Sequence, residues 1–304
     1  MNNGRGQADA FAGLHPAVNL TFFILAVGIT MFVINPVFQI ISAVSAVIYY
    51  HLIRRESAGK FSLICILPLS VLTAVLNPLF SHEGATILTY LPGGNPVTLE
   101  SLIYGIGAGL MMAAVVSWFA CLTAVFTSDK FVYLFGRLIP GLSLILSMAL
   151  RFIPLFIKRL RDIGEAQKCI RGDSESDLWD RIKNGVKLLS ALISWSLENA
   201  IDTADSMNSR GYGLKGRTAF SIYHFDTRDS VMLIWILFAA AMTVAGVYRG
   251  AAYWRYYPTV KGAVQDTGAI VTELLFLVLC MTPVMIDLYE DRRIRAMLKR
   301  NITE

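Results

Sequence analysis

Two Arg-Gly pairs, Arg171-Gly172 in AQKCIRG and Arg210-Gly211 in ADSMNSRGYG, are the residues best placed to recognise another molecule. A glycine just past a helix takes the left-handed conformation that ends it. An arginine in the last turn sits where the helix dipole favours a cation. Its guanidinium offers five donors in a rigid fork. One such pair is an ordinary helix end. Two of them, on consecutive helices with Ala166-Gln167 and Ala204-Asp205 upstream, predict a pair of cationic pegs that enter acceptor-lined clefts on partner proteins.

Other candidate chemistry is weaker. GYGLKGRT at 211–218 has the glycines of a phosphate loop, but Arg217 stands where lysine belongs and no βαβ pattern surrounds it; a true phosphate loop joins a buried strand to a helix. It reads as a plain loop, so any nucleotide must bind elsewhere. His15, His51, His82 and His224 are scattered without metal-ligand spacing, and the four cysteines make no CxxC pair. Neither a metal site nor a disulfide framework is expected. With no cluster of nucleophile, base or metal ligands, the chain reads as non-catalytic. Glu273 falls near the start of the last apolar stretch, at the membrane edge or just inside it. Gly105, Gly107 and Gly109 share one apolar stretch. Small residues four apart let membrane helices pack closely. Packing within the chain is the simpler reading, and a surface at Gly105 and Gly109 for another membrane subunit is the alternative.

The elements that must hold these residues follow from composition. Of 304 residues, 55% are hydrophobic and only 16% charged, whereas soluble domains carry about a quarter charged residues. A span needs about 20 mostly apolar residues. Six stretches qualify, at about 17–34, 36–53, 61–80, 101–126, 231–247 and 268–288, with Asn35-Pro36 as the turn between the first two. The first is read as a retained span rather than a signal peptide. Fifteen of the 27 Lys and Arg lie between Lys130 and Arg228, five lie in the C-terminal tail, and the 81–100 loop has none. That bias predicts cytoplasmic termini and a cytoplasmic basic block, and it explains the net charge of +5 without nucleic acid. Tyr253, Trp254, Tyr256 and Tyr257 read as an interfacial aromatic belt. The expected fold is an all-α integral membrane protein of about six transmembrane helices. Its expected parts are a four-helix N-terminal bundle (1–127), a coupling-helix region (128–230), and a C-terminal transmembrane pair with a basic tail (231–304). An autonomous secondary transporter or channel is the competing class. It would need charged groups at mid-depth or internal repeats, and neither stands out.

Within 128–230, residues 139–157 predict a helix at the membrane surface or packed under the bundle. From Ile153 the apolar positions are 153, 156, 160, 163 and 170, opposite Lys158, Arg161, Asp162, Glu165 and Lys168. From Leu189 they are 189, 193, 197, 200, 204 and 207, opposite Ser194, Glu198, Asp202 and Asp205. Both follow the spacing of an amphipathic helix. Two such helices predict a crossed pair joined by their apolar faces.

Taken with Leu150-Arg151-Phe152-Ile153-Pro154 and Leu14-His15-Pro16-Ala17-Val18-Asn19-Leu20, the two Arg-Gly pairs give a sequence that resembles the T component (EcfT, CbiQ-type) of energy-coupling-factor transporters. The likeness covers most of the chain. Ile170 and Ser209 precede the arginines where the family has alanine. The resemblance implies a prokaryotic cell-membrane subunit of an ABC-type importer for vitamins or transition-metal ions. It implies that Arg171 with Gly172 and Arg210 with Gly211 contact two cytoplasmic ATPases. Those partners would hold the ATP and magnesium, with no cofactor on this chain. It further implies a separate membrane-embedded S component that binds the substrate.

Overall fold

The computed structural model describes residues 10–54, 58–81, 83–90, 96–138, 140–171, 178–212, 223–262 and 266–303. They fall into two compact units, one within Met1–Thr127 and Tyr223–Glu304, the other within Ser128–Ile222.

The first unit is a helical bundle. Its helices are α1 (Pro16–Phe32), α2 (Pro36–Ile53), α3 (Ala58–Phe61) running through a π-helical stretch into α4 (Leu67–Phe80), and α5 (Leu99–Val125). After the second unit come α9 (Thr227–Tyr248) and α10 (Thr267–Thr303). Five of these stretches are long and apolar enough to cross a membrane, each near a span expected from sequence. The exception is α1, a 17-residue apolar helix. At 1.5 Å per residue it is about 25 Å long, short of a hydrocarbon core of about 30 Å. Pro36 sets its limit, because a residue before proline is driven out of the helical region and Val33 is already extended. Asn35 then caps α2, its Oδ1 accepting the Val37 N–H at 2.9 Å.

The bundle core is aromatic. Phe11 meets Phe22, Phe23 and Tyr49 edge-on, with centroids 5.3, 6.3 and 6.1 Å away, and Trp118 meets Phe22 at 5.5 Å. Such pairs add attraction beyond area burial. Polar groups inside are bonded in series. Trp118 Nε1 donates to Ser42 Oγ at 2.9 Å, and Thr30 Oγ1 donates to the Ala26 carbonyl at 2.7 Å. The 2.6 Å Thr30–Ser42 contact therefore runs from the serine hydroxyl to the threonine oxygen. Hydrocarbon gives such groups no other partner.

Gly105 and Gly109 let α5 touch the α4 backbone. A Cβ on Gly105 would fall 2.6 Å from the Ala74 carbonyl oxygen, and one on Gly109 would fall 2.5 Å from that of Ser70. Both glycines are thus used inside the chain. Gly107 faces elsewhere, toward Tyr256 and Gln39.

Sequence periodicity missed two short hairpins. β1 (Ile87–Tyr90) pairs antiparallel with β2 (Pro96–Thr98), and β3 (Trp254–Arg255) pairs with β4 (Lys261–Gly262). Segments of two to four residues carry too little alternation to be read. Their surroundings hold them. Thr86 donates from its N–H and its hydroxyl to the Glu100 carboxylate at 3.2 and 2.9 Å, and Ala85 N–H donates to the Pro258 carbonyl at 3.1 Å. The two loops therefore cap one end of the bundle together.

The second unit comprises α6 (Ser128–Leu138), α7 (Pro140–Arg171) and α8 (Leu178–Ser209). The surface helix expected over 139–157 and the amphipathic helix expected from Ile153 are one 32-residue helix, α7. Pro154 lies inside it. Proline takes one N–H from the ladder and crowds the carbonyl four residues earlier, yet the helix continues through it.

Candidate functional site

The C-terminus of α8 is a complete Schellman motif. Gly211 has φ +74°. Its N–H donates to the Asn208 carbonyl at 3.0 Å, and the Tyr212 N–H reaches back to the Met207 carbonyl at 3.0 Å. Those two bonds satisfy carbonyls that a helix end otherwise leaves open. Arg210 N–H is shared between the Ser206 and Met207 carbonyls at 3.2 and 3.1 Å. Arg210 is thus the hinge residue of the cap, and it is exposed, as are Ala204 and Asp205 one turn and more before it. Ser209 Oγ donates to the Asp205 carbonyl at 2.9 Å, tying down the last turn.

At the other Arg-Gly pair, Arg171 is the last residue of α7. Ala166 is exposed and Gln167 half-buried in the turn before it, and Gly172 lies outside the described residues.

Two contacts set the relation of the helices. Phe156 on α7 meets Trp195 on α8 edge-on at 6.1 Å. A Cβ on Gly164 would lie 4.0 Å from Leu188 Cδ1. As α7 advances from 156 to 164, its partner position on α8 retreats from 195 to 188, so the pair is antiparallel. The Arg159 guanidinium lies over the Trp195 ring, 5.2 Å from its centroid. An antiparallel pair puts its two C-termini at opposite ends. From the middle of the contact Arg171 lies about 11 residues along α7 and Arg210 about 18 along α8 the other way, so at 1.5 Å per residue the two are at most about 45 Å apart.

The covered faces differ from those expected. On α7, Phe156, Leu160 and Ile163 are half-buried as the spacing predicts, whereas Ile153 is 52% exposed. On α8 the half-buried positions include Leu188, Leu192, Trp195 and Asn199, one step round the helix from the predicted stripe, of which Met207 alone is half-buried. Up to Ala204 the predicted stripe is open: Leu189, Ile193 and Leu197 are 54%, 59% and 63% exposed, and Ile182, Val186 and Ile201 extend it.

The remaining candidates are placed as follows. Glu273 is half-buried in the second turn of α10. His51 and His224 are exposed, and His82 lies outside the described residues. His15 has a role that spacing did not reveal: its Nδ1 accepts the Ala17 N–H at 3.2 Å and caps α1. Among the described residues, no three His, Cys, Asp or Glu side chains come together as metal ligands.

Comparison with known proteins bears on this geometry. The family model CbiQ, "Cobalt transport protein", matches residues 10–220, a segment that contains both Arg-Gly pairs. The chain is 35% identical over 186 residues to "Energy-coupling factor transporter transmembrane protein EcfT" of Bacillus selenitireducens, covering 57% of this chain and 68% of that one. It is 30% identical over 191 residues to "Energy-coupling factor transporter transmembrane protein EcfT 1" of Listeria monocytogenes, covering 58% and 70% respectively.

Proposed function

This chain belongs to the CbiQ family and is a multi-pass, non-catalytic transmembrane component of an energy-coupling factor transporter, and from that premise we propose that α7 and α8 are its coupling helices. Each helix tip docks on one of two cytoplasmic ATPases, Arg171 with Gly172 on one and Arg210 with Gly211 on the other. Ala166, Gln167, Ala204 and Asp205 line the two tips. The observation that carries this reading is the cap at Arg210-Gly211, a rigid exposed cationic end on a helix antiparallel to its neighbour. Tips at opposite ends of an antiparallel pair reach two separate partners rather than one cleft.

ATP and magnesium belong to the ATPases in this reading. Both termini and the second unit are cytoplasmic, in keeping with fifteen cations between Lys130 and Arg228. The open apolar stripe of α8, Ile182 to Ile201, receives a membrane-embedded S component loaded with a vitamin or transition-metal ion. ATP-driven movement of the tips then reorients that subunit.

Truncating one desolvated arginine in such a socket costs ~2–5 kcal/mol of binding. Arg171→Glu and Arg210→Glu are therefore expected to release ATPase from the detergent-purified complex, with the membrane protein itself still folded. If both variants retain both ATPases in a pull-down, the docking role is wrong.

A further inference from the structure

Asp229 lies in the first turn of α9 and is buried, yet it has no part in the docking described above. Its two oxygens serve two different helix starts. Oδ2 accepts the backbone N–H of Asp226, the N-cap of α9, at 3.1 Å. Oδ1 accepts the backbone N–H of His15, the N-cap of α1, also at 3.1 Å. Asp226 and Asp229 form a reciprocal capping box, and such a box needs only one carboxylate oxygen. The second oxygen is used across 214 residues of sequence.

The surroundings fix both ends of this bridge. The His15 ring packs edge-on against Phe225, centroids 5.0 Å apart, and its Nδ1 caps Ala17. Pro16 occupies the first helical position of α1. Asn19 Nδ2 donates to the Leu14 carbonyl at 3.5 Å, and Leu14 is buried. The Leu-His-Pro-Ala-Val-Asn run is therefore a preset receptor for one carboxylate. Two helix dipoles point their positive ends at it, and both bonds are charge-assisted. Removing the carboxylate takes the acceptor of a buried bond from the His15 N–H and of a part-buried one from the Asp226 N–H, and the buried loss is the costly one.

Tyr223–Asp226 is the stretch by which the chain returns to the bundle after the second unit. A displacement passed along the chain at Tyr223 reaches α9 first. The bridge shares it at once with α1. We propose that Asp229 is a positioning residue, a pin that makes α1 move with α9 so that coupling-helix motion enters two helices of the bundle rather than one. The inference rests on the coupling reading above.

The test uses the full complex with its ATPases in nanodiscs. The exposed Cys65 and Cys169 are replaced by serine, and nitroxides are attached at Ile24→Cys on α1 and Phe119→Cys on α5, both exposed sites. Double electron–electron resonance is recorded with and without ATP and vanadate. Nucleotide trapping is expected to shift the interspin distance in the parent protein. Asp229→Ala, which removes both acceptor oxygens of the bridge, is expected to abolish the shift while the complex stays assembled. If Asp229→Ala does not accumulate, Asp229→Ser, whose shorter hydroxyl falls back from the His15 N–H, takes its place and must abolish the shift. An equal shift in Asp229→Ala or Asp229→Ser overturns the pin, as does a parent complex that holds its ATPases and shows no shift. A parent preparation without ATPase overturns the coupling reading and the pin with it, and that is seen before any distance is measured.

Discussion

Replacing Gly109 by alanine tests a contact between two helix backbones in the bundle. The new Cβ falls 2.5 Å from the Ser70 carbonyl oxygen, whereas ordinary contact begins at 3.4 Å. The oxygen must retreat by the difference between 3.4 and 2.5 Å, about 0.9 Å. It belongs to the backbone of α4 and cannot rotate away like a side chain, so the helix has to shift. Overpacking of this kind costs ~1–3 kcal/mol, and the better helix propensity of alanine returns at most ~1 kcal/mol. Gly109→Ala should therefore destabilise by ~1–2 kcal/mol. Gly28→Ala is the matched control: nothing lies within 4 Å of its Cβ, so it keeps the propensity gain and should be neutral or stabilising. Gly105→Ala meets the Ala74 oxygen at 2.6 Å, one turn away on the same pair of helices. A single retreat of α4 relieves both, so the double variant should cost less than the sum. The assay is thermal melting in detergent, followed by reaction of the buried Cys121 and Cys280 with a thiol dye after Cys65 and Cys169 are replaced by serine. If Gly109→Ala melts as high as Gly28→Ala, α4 does not sit against Gly109 and the packing argument fails.

Gly211→Ala places a side chain at φ +74°, where an L-residue pays ~1–2 kcal/mol; titration against the ATPases should show about 5-fold or more weaker binding, with Gly211→Asn closer to the parent. Arg159→Ala and Trp195→Ala remove two sides of one contact, so a double-mutant cycle on melting temperature should return a coupling of ~0.5–2 kcal/mol, and strict additivity would remove the cation–π bridge from the account. The Tyr256 phenol is pushed up to about 12 by burial and then by neighbouring Tyr104. Its raised value favours the neutral form in the folded state, so that contribution is whole below pH 10 and disappears as the pH climbs through 12. Tyr256→Phe should abolish this alkaline loss and, because the buried hydroxyl has no hydrogen-bond partner among the described residues, should not lower stability at pH 7; a lower melting temperature there would show that the hydroxyl is bonded.

The spans were legible because hydrocarbon forces a residue-level signature that is hard to mistake. About 20 apolar residues in a row, with cations on one side, describe α2, α4, α5, α9 and α10 without any knowledge of packing. The Arg-Gly cap at 210–211 was legible for a similar reason: only glycine sits comfortably at φ +74°. Contacts between distant residues were not legible. Asp229 looks like one more acidic residue at a helix start, and nothing local says that His15 is its second partner. The hairpins at 87–98 and 254–262 depend on Glu100 and Pro258, which lie outside the strands they hold.

The faces of α8 mark the limit of periodicity. A repeat at 3.6 residues says that a helix has an apolar side; it does not say what covers it. Leu188, Leu192 and Trp195 lie toward α7, while Leu189, Ile193 and Leu197, one residue further round, stay open. The open stripe runs from Ile182 to Ile201, about 28 Å at the helical rise. A soluble helix pair rarely leaves that much aliphatic surface uncovered, since it invites aggregation. In the reading proposed above, the S component is what covers this stripe. Replacing Ile193 and Leu197 by serine should leave ATPase recovery in a pull-down unchanged and remove the S component from the same preparation. Co-purification of both would mean that the stripe serves something else.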